Sequence, residues 1–247
     1  MIQIKFKTLA AAIALLPFFA ALPLQAQNRP LLRQLLETRG CPGCDLFGAS
    51  LSRADLFGAS LSGATLSRAD LVDADLTAAD LKAANLNNAN LRNAFLTSAD
   101  LSSADLTRAD LRGVNLEGAN LSESTLRDAT LQLAKLKCAD LSAATLSRID
   151  FREADLTGTN LRGADLQEAD FSNANLAGAD LRGANLRDAR LKKTNLKDAN
   201  LCGALMPNGK MSRQGCPVRG QIPIETTNNY CNYCYPFYTE PQWLEVF

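Results

Sequence analysis

Cysteine is the residue type in this chain with the most chemistry to offer. Cys41 and Cys44 form a Cys-Pro-Gly-Cys pair, Cys231 and Cys234 form a second Cys-x-x-Cys, Cys202 and Cys216 bracket a turn, and Cys138 stands alone. Close pairs of this kind serve three ends: a thiol–disulfide couple, half of a zinc site, or a structural bridge. Histidine is absent from all 247 residues. That removes the commonest general base and metal ligand together.

Which of the three applies depends on what holds the pairs apart. Between Cys44 and Leu205 one five-residue phrase repeats without a break, with a leucine at every fifth position from Leu46 to Leu201 and Phe151 and Phe171 as the replacements. This makes 32 consecutive units of the form Ala-(Asp/Asn)-Leu-x-x. A continuous α-helix cannot use this period, because five residues advance about 500° and the leucines would spiral round the cylinder. A continuous strand cannot either, since an odd repeat sends successive leucines to alternate faces.

A short extended side followed by a turn brings the fifth residue inward again. Leu and the Ala two residues before it then share the inner face, and the other three positions point out. The residue before Leu is mostly Asp or Asn, as at Asp70, Asp75, Asp80, Asn85 and Asn90. These side chains hydrogen-bond nearby backbone and suit tight turns. The second residue after Leu is often Gly, as at Gly48, Gly113, Gly163 and Gly183, where a corner would need an unusual backbone angle.

This pattern resembles the pentapeptide-repeat family, whose A(D/N)LxX units form a right-handed, four-sided β-helix. The resemblance spans about two thirds of the chain and implies an all-β solenoid, a right-handed quadrilateral β-helix of about eight coils, ~38 Å long at the ordinary strand spacing. Phe151 and Phe171, twenty residues apart, would stack in adjacent coils. Ile149 and Thr159 depart from Ala nearby, so the core should widen there, with room for a buried ligand as the sharper reading.

Four segments follow. Residues 1–26 read as a secretory signal, with Lys5 and Lys7 before an apolar run from Leu9 to Leu24 and a cleavage end at Leu24-Gln25-Ala26. Residues 27–43 hold a short capping helix within 28–40, started near Asn28 and Pro30 and stopped by Gly40, with Leu31, Leu32, Leu35 and Leu36 on one face, and then the CPGC junction. Residues 44–205 are the β-helix. Residues 206–247 are a cap or tail in which Pro207-Asn208-Gly209 signals a hairpin.

With the Cys-x-x-Cys pairs at opposite ends of a rod, one metal cannot take both. An exported chain favours bridges, giving 41–44, 202–216 and 231–234. Cys138, at an outward position, is left as a free thiol or an intermolecular link. A redox-active pair remains the alternative, although CPGC follows its helix and so meets the negative end of the dipole, which works against a thiolate.

Formal net charge is zero, and 18 basic against 22 acidic residues between Asp45 and Leu205 leave the rod at a net of −4. Such a surface exerts little pull on nucleic acid or an anionic membrane. Arg68, Asp70, Arg108, Asp110, Arg112, Arg148, Asp150 and Arg152 should form a ladder of alternating sign. Arg190, Lys192, Lys193 and Lys197 cluster near the last coil. Phe47, Phe57 and Phe95 fall at outward positions, the first two near enough to the capping helix to be covered by it.

The last eighteen residues turn aromatic. Tyr230, Tyr233, Tyr235, Phe237, Tyr238 and Trp243 could close the last coil or dock a partner.

The expected function is a non-enzymatic structural or protein-binding scaffold exported to the periplasm, or to the thylakoid lumen, since the CPGC junction and the MPNG…GC ending resemble exported cyanobacterial members of the family. Its partner is an unidentified protein, with no nucleic acid, no membrane insertion after signal cleavage, and no cofactor or metal. It would be a monomer or an end-to-end dimer. The alternative is a thiol–disulfide oxidoreductase. The family also implies a DNA-mimicking gyrase binder, which the export signal and the near-neutral rod disfavour.

Overall fold

The computed structural model describes residues 29–216. The readings of residues 1–26, Cys231, Cys234 and the aromatic tail lie outside the described residues.

Parallel bridges join residues twenty apart in an unbroken series from Gly40 and Ser60 to Asn185 and Leu205. Four five-residue units therefore complete one coil, and each of the four sides stacks residues twenty apart. The solenoid is a quadrilateral β-helix whose sides are single bridges rather than long strands. We name the sides after their first leucines: Leu46, Leu51, Leu56 and Leu61.

Every backbone amide of a regular unit has a partner. In the unit at Leu101, the Ala99 amide donates to the Leu96 carbonyl at 3.1 Å across the turn, and Asp100 donates to Ala79 of the preceding coil at 2.9 Å. Leu101 and Ser103 donate to Asn120 and Ser122 of the next coil at 2.7 and 2.9 Å. Only the Ser102 amide lacks a carbonyl. It donates instead to Oδ1 of Asp100, at 2.9 Å. A buried or half-buried amide left unpaired costs about 1–3 kcal/mol, which explains why Asp or Asn recurs at that position.

The same bond recurs from Thr107 to Asp105 and from Ser142 to Asp140, both at 2.9 Å. Asn side chains also reach across coils, as Asn185 Nδ2 does to Asp165 Oδ1 at 2.9 Å.

The leucine and alanine positions from Leu56 to Leu186 are almost wholly buried. Polar intruders bond locally: Ser124 and Thr159, both 0% exposed, donate their hydroxyls to the carbonyls of Leu121 and Leu156 at 2.6 and 2.7 Å. Phe151 and Phe171 are stacked with ring centroids 5.2 Å apart and planes 15° apart. Both rings and Ile149 are buried.

Corners demand a left-handed backbone. The second residue after each leucine sits near φ +60° whether it is Gly163 (φ 65°) or Leu133 (φ 59°).

The N-terminal end is closed by α1, Arg29–Thr38. Leu35 is fully buried, and Leu31 and Leu32 pack against the same core. Leu36 is corrected: turned about 100° from Leu35, it leaves that stripe and is 51% exposed. The helix stop is corrected as well. Arg39 takes the left-handed conformation (φ 54°) and donates to the Leu35 carbonyl at 2.7 Å, because Gly40 already belongs to the ladder through its bridge with Ser60.

At the other end Pro207-Asn208-Gly209 turns the chain into an antiparallel bridge between Leu205 and Met211. Leu201 donates to Gln214 and Gly203 to Ser212, at 3.2 and 3.0 Å. Residues 211–214 thus occupy amides that a next coil would have taken.

Candidate functional site

The cysteines fall into different environments. Cys41 and Cys44 are bonded, with Cα atoms 5.4 Å apart. Cys41 is 0% exposed and lies in the core cluster with Leu31 and Leu35 of α1, while Cys44 is partly buried. An attacking thiolate would have to displace part of the N-terminal cap to reach the Cys41 sulfur. Cys202 and Cys216 are also bonded, with Cα atoms 4.7 Å apart, and this bridge ties the terminal hairpin to the last coil.

Cys138 is corrected. It is not a free thiol but a disulfide cysteine, and the other four described cysteines pair with one another. It stands at a left-handed corner (φ 60°) beside the Leu136 position of the Leu56 side. Repeat spacing located this cysteine but carries no signal that it is bonded.

The charged ladder is a set of local forks. Arg112 grips Asp110 through Nε and Nη2 at 2.8 and 2.5 Å, and Arg152 grips Asp150 at 2.9 and 2.8 Å. Arg148 crosses a coil to Asp128 at 2.7 and 2.9 Å. The hydrogen bonds from Arg112 hold the Asp110 carboxyl below its ordinary range, and Arg148 does the same for Asp128. Burial pushes Asp150 up, but hydrogen bonds from Arg152 and Gln132 outweigh it and leave the carboxyl lowered.

These pairs consume charge that could otherwise meet a ligand. In the cluster near the last coil, Arg190 pairs with Asp170 at 3.6 Å, whereas Lys192, Lys193 and Lys197 are exposed. Among the described residues, no group of three His, Cys, Asp or Glu side chains is arranged to hold a metal ion.

Apolar exposure is the more informative surface feature. Phe47 lies under the Arg68 guanidinium, 5.7 Å from ring centroid to Cζ. The expected cover of Phe57 by the helix is corrected: α1 packs on the open end of the first coil, while Phe57 projects from the Leu56 side and stays 50% exposed. Phe95, two coils on and on the same side, is also 50% exposed. Thr77 and Asp75 lie in the coil between them, Asp75 bridging to Phe95.

Family models agree with this architecture. One described as pentapeptide repeats (8 copies) matches residues 44–82, 79–118 and 169–206, and one described as pentapeptide repeat region matches residues 104–181. The chain belongs to the pentapeptide-repeat family.

Among solved structures it is similar to HetL from the cyanobacterium Nostoc, a pentapeptide repeat protein involved in heterocyst differentiation regulation. Identity is 32% over 74% of this chain and 98% of that one, with a TM-score of 0.47. It is also similar to QnrB1, a plasmid-mediated fluoroquinolone resistance protein, at 20% identity over 63% and 90% of the two chains and a TM-score of 0.47. A thylakoid-lumen pentapeptide repeat protein of Arabidopsis thaliana matches at 28% identity over 49% and 74%, with a TM-score of 0.29. No curated protein matches the chain.

Proposed function

We propose that this chain is a non-enzymatic, exported scaffold, a right-handed rod of about eight coils that binds a protein partner through its Leu56 side. The observation that carries this reading is the pair Phe57 and Phe95, two large aromatic side chains half-exposed on one side of a rigid ladder. Aromatic side chains on a preorganised surface lose little entropy on binding and are over-represented among the residues that dominate interface energetics. Acidic and basic residues elsewhere on the rod are partly spent on each other.

Export rests on the sequence of residues 1–26, and the bridged cysteines suit an oxidising compartment, periplasm or lumen. An oxidoreductase reading ranks lower because Cys41 is wholly buried at the N-terminal cap. The helix at one end and the hairpin at the other occupy both ladder ends, which favours a monomer over an end-to-end dimer.

Co-purification of the exported protein from its own envelope or lumen, compared with a Phe57→Ala/Phe95→Ala double variant, tests the proposal. A protein that accompanies the wild type and is lost with the double variant is expected. Equal recovery by both would refute a role for this side.

A further inference from the structure

The charge of the rod is not spread evenly round its perimeter. The twenty-residue register assigns every residue of the repeats to one side and one coil. In the first four coils the Leu46 and Leu51 sides carry five Asp and five Arg, so they balance. The Leu56 and Leu61 sides of the same coils carry six carboxylates, Asp55, Asp75, Asp80, Asp100, Glu117 and Glu123, against Lys82 alone, a net of −5. In the last four coils the Leu46 and Leu51 sides balance again, and the other two stand at +1. The acidic excess of the whole rod therefore lies on the quarter that also bears Phe57 and Phe95.

These carboxylates have few basic partners of their own. Among the described residues, Asp55 is the one of the six held in an ion pair, with Arg39 at 2.6 Å. Asp75, Asp80 and Asp100 each accept the amide two residues on through Oδ1, at 3.0, 3.1 and 2.9 Å. Their Oδ2 atoms are left for another donor. On the Leu51 side, by contrast, an arginine grips both oxygens of Asp110 and both of Asp150.

Small residues make the corner between the two acidic columns. Gly58, Ala78, Ser98 and Gly118 stand there one coil apart, all exposed. A partner chain can lie along this edge with no long side chain in its way, near Asp75 on one side and Asp80 and Asp100 on the other. It cannot dock by adding a strand, because the backbone amides here already donate to adjacent coils or across turns. Its side chains must make the contact.

The chemistry of those side chains follows from what they meet. Phe57 and Phe95 stand two coils apart, roughly 10 Å along the rod. Ring faces attract cations, arginine above all, as Arg68 over Phe47 illustrates on the Leu46 side. Long basic side chains can rest their methylene stems on a ring while their charged ends reach a carboxylate. An uncharged or acidic segment would instead take these carboxylates out of water with no counter-charge.

We infer that the corner between the Leu56 and Leu61 sides, over the first four coils, receives a basic segment of a protein partner, whose Lys or Arg side chains reach Asp75, Asp80 and Asp100 while its stems and apolar groups cover Phe57 and Phe95. This rests on the reading that the Leu56 side meets a protein. It adds the charge of the partner and the edge along which the partner lies.

Selection from a random dodecapeptide display library on the protein, at near-physiological salt, tests the charge of the occupant. Sequences rich in Lys and Arg are expected; enrichment of acidic or uncharged sequences overturns the proposal. A labelled peptide from that selection then separates this corner from general attraction to an acidic surface. Asp75→Asn/Asp80→Asn/Asp100→Asn should weaken its binding about tenfold, as the loss of three exposed ion pairs implies. Asp45→Asn/Asp70→Asn/Asp105→Asn removes the same charge from the Leu46 and Leu51 sides and should change binding by less than about twofold, since salt screens charges that far away. Asn keeps an oxygen for the amide two residues on, so both variants retain the ladder. Equal weakening by the two overturns the proposal. Co-purification distinguishes this inference from the reading beneath it. A partner lost with Phe57→Ala/Phe95→Ala but kept with the corner variant overturns the basic segment alone, whereas a partner kept by both overturns the Leu56 surface itself.

Discussion

Phe151 and Phe171 stack at 5.2 Å between ring centroids, face to face in adjacent coils, at the two positions where the leucine ladder is replaced. The pair is fully buried and works as one unit of core. Truncating Phe171 to Ala removes a ring that no leucine neighbour can cover and should cost about 3–5 kcal/mol. The Phe151→Ala/Phe171→Ala double variant should lose clearly less than the sum, because the second ring has already lost its neighbour. Thermal or denaturant unfolding of the three variants checks both points.

The corners predict different outcomes for two substitutions. A methyl at Gly163 would meet nothing within 4 Å, so Gly163→Ala probes φ alone (+65°). The left-handed cost of about 1–2 kcal/mol, less the unfolded-chain entropy that alanine saves, leaves a destabilisation near 1 kcal/mol. Leu133 has the same backbone (φ 59°) with a 62% exposed side chain. Leu133→Gly should be neutral or stabilising by up to about 1 kcal/mol. The denaturant midpoint should fall for Gly163→Ala and hold or rise for Leu133→Gly.

Asp100 supplies the acceptor that the Ser102 amide otherwise lacks, and it also accepts from Asn120 Nδ2 at 3.2 Å. Asp100→Ala should cost about 1–2 kcal/mol and speed exchange of the Ser102 amide. Asp100→Asn keeps an oxygen at the position and should recover most of the loss. Hydrogen exchange on the two variants separates loss of this bond from general loosening.

The lowered carboxyls of Asp110, Asp128 and Asp150 give an acid dependence. A folded pKa below the unfolded value stabilises above the unfolded value, about 3.9 for Asp, and the benefit disappears as pH falls through the folded one. The Asp110→Asn/Asp150→Asn variant should therefore lose less Tm than wild type on going from about pH 5 to pH 2. At pH 7 it should be only slightly less stable, since pairs this exposed contribute about 0–1 kcal/mol each.

Much of this fold was legible because a strict period leaves few solutions. The inward Leu and Ala, the stacked phenylalanines, the hairpin at Asn208-Gly209 and the short bridges all follow from spacing and turn chemistry within about twenty residues. Errors arose where a residue had two possible masters. Gly40 looked like a helix terminator but serves the ladder, and Arg39 takes the left-handed turn instead. Leu36 sits one residue beyond the buried Leu35 and is turned off the stripe that faces the core. Cys138 was the hardest, since a five-residue repeat places it at an outward corner but carries no signal that it is disulfide-bonded. The exposed pair Phe57 and Phe95 was visible as two outward aromatics, but which side they share requires the twenty-residue register.

The central claim is that the Leu56 side meets a protein. A photo-crosslinking residue at Thr77, in the coil between Phe57 and Phe95, tests it most directly in the native compartment. The account predicts a discrete crosslinked partner band that is lost in the Phe57→Ala/Phe95→Ala background and absent when the crosslinker sits on the opposite, Leu46 side at Asn87. Crosslinks of equal yield from Thr77 and Asn87, or none from Thr77, would contradict it.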